Sequence, residues 1–140
     1  MKRTLFIMLV GVFVVSLYSG YSLAYVGPTH LTKGNMNGVK YLTGGVGIDE
    51  RATIQKMAKG NYNLQFVFAK TSGPYLADIM VDIQGKDGKH LVDTSAAGPW
   101  FFAKLPSGQY KITVIHAGKP EVRHLVVGKN FQRVIFNWKG

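Results

Sequence analysis

The 140-residue sequence predicts an all-β fold: a seven-stranded antiparallel β-sandwich, preceded by one short helix and an N-terminal signal peptide. Three observations carry this. From Tyr62 onward apolar residues recur at every second position, in seven short runs spaced about ten residues apart. Turn-forming Gly, Pro and Asp residues separate the runs. No long helical pattern interrupts them, so antiparallel pairing is the natural expectation.

Taking the elements in order, Met1-Lys2-Arg3 gives a positive start, and Leu5 to Leu17 is almost wholly apolar. Ser22-Leu23-Ala24 then places small residues three and one before a cut after Ala24, the layout of a secretory signal peptide over residues 1–24. The alternative is an uncleaved N-terminal membrane anchor, since the apolar run can be extended to Leu23. The chain has no cysteine, so neither a thiol-linked lipid nor a disulfide is available, and the domain rests on its hydrophobic core. Residues 25–47 hold six glycines, Pro28 and several Asn and Thr without a sustained period, and read as a flexible lead-in that supplies little core. Residues 48–60 read as a short helix: Ile54, Met57 and Ala58 fall at helical spacing, with Asp49 as N-cap and Gly60 just past the C-terminus.

Residues 61–140 form the sandwich domain. Leu64, Phe66 and Phe68 make one buried strand face, and Ile79, Val81 and Ile83 another. Lys86-Asp87-Gly88-Lys89 suits a tight hairpin leading to His90-Leu91-Val92. Further strands are expected at Trp100 to Lys104, Tyr110 to His116, Glu121 to Val127 and Phe131 to Trp138. Trp100 and Phe102 point to one side and Phe101 and Ala103 to the other, so this strand is apolar on both faces and belongs at a centre or under the helix. Leu105-Pro106-Ser107-Gly108 turns the chain, with Pro106 fixing one backbone angle and Gly108 free to take a left-handed one.

The run "DTSAAGPWFFAKLPSGQYKITV", with "DGK" before it and "HAGKP" after it, resembles the carboxypeptidase regulatory-like domain, a transthyretin-type or prealbumin-like β-sandwich. The likeness covers Leu64 to Trp138, and "GGVGIDERATIQKM" through "YNLQFVFAKTSGPYLADIMVDI" resembles small exported bacterial proteins carrying that domain. In carboxypeptidases of that kind the domain is an accessory, and the zinc-binding catalytic unit is separate. The resemblance therefore implies a fold and an accessory role, not an activity.

No constellation in the sequence supplies chemistry. His30, His90, His116 and His124 include no H-x-x-E or H-E-x-x-H spacing, although His116 and His124 are candidates to approach each other across a hairpin. Transthyretin-like hydrolases end in a Tyr-Arg-Gly-Ser signature, whereas this chain ends Phe136-Asn137-Trp138-Lys139-Gly140. Ser72, Ser95 and Ser107 sit in turn-like contexts with no histidine beside them in sequence. "TGGVGIDE" lacks the Lys and Ser/Thr of a phosphate loop and places Asp49 and Glu50 where phosphate would sit. Asp78, Asp82 and Asp87 lack the spacing of a calcium loop. No catalytic residue, metal ligand or cofactor is expected.

Charge is the remaining lead. With Lys2 and Arg3 set aside from 17 basic residues against 7 acidic, the remainder carries about +8. Solubility alone accounts for scattered lysines; anionic lipid headgroups, lipopolysaccharide or acidic polymers account for a patch. Tyr75, beside Pro74, with Lys70, Lys104 and Lys111, is the candidate ligand or partner surface, since aromatics among cations suit sugars or polyanions. The expected function is a non-catalytic exported binding or assembly module of the cell envelope, periplasmic or secreted, that engages a protein partner. Open strand edges give a route to such pairing, or to a homo-oligomer. The alternative is binding of an anionic envelope polysaccharide or lipid, with a small hydrolase a third reading. Nucleic acid is not expected as a partner.

Overall fold

The computed structural model describes residues 30–140. The signal segment read at residues 1–24 lies outside the described residues, as do the first residues of the lead-in. Nine strands and one helix follow in the order β1 (Thr32–Met36), β2 (Val39–Gly44), α1 (Ile48–Ala58), β3 (Leu64–Lys70), β4 (Ile79–Gly85), β5 (His90–Ala96), β6 (Trp100–Ala103), β7 (Gly108–His116), β8 (Lys119–Val127) and β9 (Gln132–Trp138). They build two sheets, one of five strands ordered β1-β2-β6-β3-β9 and one of four ordered β5-β4-β7-β8.

The seven expected strands are all present, and two more come from the stretch read as a lead-in. Asn37 and Gly38 take left-handed backbone angles (φ 51° and 80°) and close β1 onto β2 as a two-residue hairpin. Val39 and Leu42 of β2 are buried, so this segment does contribute core. The expectation of antiparallel pairing also needs one correction, because β9 runs parallel to β3 from Leu64 opposite Gln132 to Lys70 opposite Trp138. The final strand returns along the opposite side of β3 from β6, which leaves it at the sheet edge.

Two apolar clusters explain the layering. Between the sheets lie Phe66, Phe68, Phe101 and Phe136 with Ile79, Val81, Ile83, Ile112 and Val114, all fully buried. Phe66 stacks on Phe101 with ring centroids 5.9 Å apart and meets Phe136 edge-on at 5.4 Å, both favoured arrangements of aromatic quadrupoles. On the other side of the five-stranded sheet, α1 seats Ile54 and Ala58 on Leu42, Val67, Trp100 and Phe102. The five-stranded sheet is thus a middle layer, and β3 and β6 are buried on both faces. The near-continuous apolar runs at Phe66 to Ala69 and Trp100 to Ala103 record that position.

The helix is capped by Gly47 (φ 82°) and begins at Ile48, with Asp49 inside the first turn and not at the cap. The carboxylate that organises this end is Glu50, whose Oε1 accepts from the amides of Gly45 (2.9 Å) and Val46 (3.2 Å) and whose Oε2 accepts from His30 N–H (3.0 Å). At the far end Lys59 leaves the helical conformation, Gly60 turns at φ 75°, and the Asn61 amide donates to the Met57 carbonyl at 2.9 Å. The L-P-S-G-Q-Y turn works differently from expectation, since Gly108 has no left-handed angle and already begins β7. Tyr110 fastens this turn, its hydroxyl donating to the Pro106 carbonyl at 2.7 Å, and burial raises its phenol pKa.

Candidate functional site: a basic groove under the helix C-terminus

Strand register decides which polar side chains share a face. Leu42 and Phe102 contact the helix, so by alternation Lys33 of β1, Lys40 of β2, Lys104 after β6, Gln65 of β3 and Arg133 of β9 lie on that same outer face of the five-stranded sheet. The helix covers only part of it. Past its C-terminus two open grooves remain.

The larger, of about 610 Å³, runs between the end of α1, the start of β3 and the β8–β9 loop. It carries three lysines, Lys59, Lys104 and Lys129, with the aromatic rings of Tyr62, Phe102 and Phe131 and the amides of Gln55, Asn63 and Gln65. The second, of about 480 Å³, is lined by Lys33, Lys40, Asn35, Met57 and Asn61. Tyr62 lines both grooves. Its ring lies 6.1 Å from that of Phe102, and burial raises its phenol pKa, so the hydroxyl stays neutral at physiological pH.

Neither groove is lined by a carboxylate. The seven acidic residues of the chain are Asp49 and Glu50 at the opposite end of α1, Asp78, Asp82, Asp87 and Asp93 on or beside β4 and β5, and Glu121 on β8. The ion pairs among the described residues are His90–Asp82 at 2.7 Å and Arg123–Glu121 at 3.4 Å. Lys33, Lys40, Lys59, Lys104, Lys129 and Arg133 enter neither. The partial negative charge of the helix C-terminus favours Lys59 beside it, yet it leaves the cationic excess of the grooves uncompensated.

The walls of the larger groove are anchored by Asn63. Its Nδ2 donates to the Leu105 carbonyl at 2.7 Å and its Oδ1 accepts from the Leu105 N–H at 2.9 Å, tying the start of β3 to the chain leaving β6. Phe131 stands at the rim with 53% of its surface exposed.

The four residues read from sequence as one surface are not brought together. Lys104 belongs to the larger groove. Lys70 and Tyr75 sit at the other end of β3, roughly 20 Å away along the strand. There Tyr75 pairs with Ala69 and lies under the Arg51 guanidinium, 5.3 Å from its ring centroid, so its cation comes from the helix. Lys111 is on the four-stranded sheet, in a separate groove of about 550 Å³ with Lys86 and His124. The cations that do share a face with Lys104 come from three other stretches far apart in sequence. The local signal for two of them, Lys33 and Lys40, was the Asn37-Gly38 dipeptide between them, a hairpin marker that places both on one side of the resulting ladder.

The histidines take other roles. His116 lies opposite Lys119 and His124 opposite Lys111, which separates the two along the β7–β8 ladder instead of bringing them together. His116 packs edge-on against Trp138 at 5.6 Å. His90 binds Asp82, and that hydrogen bond, followed by the carboxylate's charge, raises the pKa of the exposed imidazole above 6.5. Ser107 is exposed in its turn. Among the described residues no three His, Asp or Glu side chains come close enough to hold a metal ion, and no helix is long and apolar enough to cross a membrane. Comparisons with models of protein families, with curated proteins and with solved structures find no match to this chain.

Proposed function

We propose that this chain is a non-catalytic binding module, exported to the periplasm or beyond after cleavage near Ala24, that holds an anionic component of the cell envelope in the grooves beside the helix C-terminus. One observation carries the reading: six cationic side chains share one face, around aromatic rings, with none of the chain's carboxylates among them. Such a patch concentrates anions at its surface and binds them with an affinity that falls as salt rises. The likeness to carboxypeptidase regulatory-like accessory domains supports a binding role, as does the secretory leader read in residues 1–24.

At the two edges of the four-stranded sheet, a protein partner added as a strand is the weaker reading. The longest edge strand, β8, has two of its carbonyls occupied from within, Val126 by the Gln132 amide at 2.7 Å and Lys119 by the Trp138 indole at 3.1 Å. The β5 edge is covered by the β1–β2 turn, where the Asn37 amide reaches the carbonyls of His90 and Leu91. Both are devices that blunt an edge against pairing.

The test compares two variants of equal net charge. Lys104→Gln with Lys129→Gln is expected to elute from a carboxylated or sulfated matrix at markedly lower salt than Lys111→Gln with Lys119→Gln. Equal elution of the two would show that retention follows net charge and would reject the groove.

A further inference from the structure

Resting on that reading, we propose that the anion is an acidic polysaccharide that lies extended across both grooves, with Tyr62 as the ridge between them. The first argument is span. From β1 to β9 there are four interstrand gaps of about 4.8 Å, so the cations from Lys33 to Arg133 spread over about 19 Å. A lone phosphate or carboxylate meets one or two of them. A chain that repeats its charge meets Lys33 and Lys40 on one side of Tyr62 and Lys59, Lys104 and Lys129 on the other.

The second argument is chemistry between the charges. Phe131 offers an exposed ring at the rim, and the half-buried Tyr62 ring stands between the lysines, backed by the buried Phe102 ring 6.1 Å away. A polyphosphate has nothing to place on an aromatic face. A sugar ring does, since its C–H face is apolar while its hydroxyls stay in plane to meet amides. Those amides are present in both grooves, as Gln55 and Gln65 on one side and Asn35 and Asn61 on the other. Both grooves are open to solvent, which lets a polymer enter and leave without an end being threaded.

The experiment titrates the full chain with fluorescein-labelled oligogalacturonides of increasing length, with galacturonate monomer, inorganic polyphosphate and an oligothymidylate as comparators. Monomer is expected to show no saturable binding, and oligomer affinity to climb with length until both grooves are spanned. Phe131→Ala should weaken the long oligogalacturonide tenfold or more and leave polyphosphate unchanged, whereas Lys33→Gln with Lys40→Gln should remove the gain in affinity beyond the length that fills the larger groove. Tighter binding of polyphosphate or oligothymidylate at equal charge, or an unchanged affinity in Phe131→Ala, would overturn the polysaccharide assignment and leave the anion-binding groove standing. Binding to none of these polyanions would overturn both.

Discussion

Lys104 stands opposite Lys40: its backbone N–H donates to the Lys40 carbonyl at 3.0 Å, extending the β2–β6 register by one residue and setting two exposed lysines side by side on one face. Like charges directly across a ladder repel, and neither lysine has an acidic partner among the described residues. Removing one should therefore help the fold while harming the site. Lys104→Gln is expected to raise the melting temperature by ~1–3 °C at low salt, a gain that vanishes as salt screens the pair, and to weaken polyanion binding. A thermal scan at two salt concentrations, run beside a binding titration, checks both signs.

Asn63 is the clasp of the larger groove. Truncating it leaves the N–H and carbonyl of Leu105, a residue only 2% exposed, without their partners. Asn63→Ala should cost about 2–4 kcal/mol in denaturant unfolding. Asn63→Asp keeps the acceptor for the Leu105 amide but turns a second acceptor on the Leu105 carbonyl in a buried place, and should destabilise at neutral pH and recover in part as the carboxylate protonates at low pH.

Close backbone approach makes Gly98 irreplaceable by alanine without movement. A Cβ there would collide with the backbone carbonyl of Gly44, at the point where the chain entering β6 crosses the end of β2. Because the obstacle is main chain, it cannot step aside by a change of rotamer. Gly98→Ala is expected to destabilise by about 1–3 kcal/mol, read as a lower midpoint in urea with an unchanged slope.

The β7–β8 hairpin turns through Ala117 and Gly118, at φ 48° and 73°. Alanine in that region clashes with its own backbone, and asparagine tolerates it. Ala117→Asn would reproduce the Asn-Gly turn found at Asn37-Gly38 and should stabilise by about 0.5–1 kcal/mol in the same urea experiment.

His90 supplies the pH-dependent element. Its hydrogen bond to Asp82, and then the carboxylate's charge, raise its pKa above the ordinary 6.5. The folded state thus prefers the imidazolium more than the unfolded chain does. Stabilisation from this pair is fully present below the unfolded value of 6.5 and is lost as pH rises through the higher folded value. Asp82→Asn should return the His90 titration towards 6.5 in NMR and flatten the decline in stability across that window. An unmoved midpoint would show that Asp82 is not the cause.

Sequence alone determined what depends on near neighbours. Alternation assigned the inner faces at Leu64, Phe66 and Phe68 and at Ile79, Val81 and Ile83, because a strand's side chains point to opposite sides with period two whatever the strand pairs with. The double-sided apolar character of Trp100 to Ala103 likewise marked a covered, central strand. The short helix was legible from Ile54, Met57, Ala58 and Gly60, although the carboxylate at its entry proved to be Glu50, acting across a loop, and not Asp49. The β1–β2 hairpin was written in Asn37-Gly38, but its flanks, rich in Gly, Lys and Thr, carried too little alternation to declare strands. Only the tertiary structure decided the partners: that β9 runs parallel to β3, that β2 lies against β6, and that Lys33, Lys40, Lys104 and Arg133 share one face. Strand pairing is a long-range choice made by whichever arrangement buries the most apolar surface, and scattered lysines acquire a common site only after that choice has set the register.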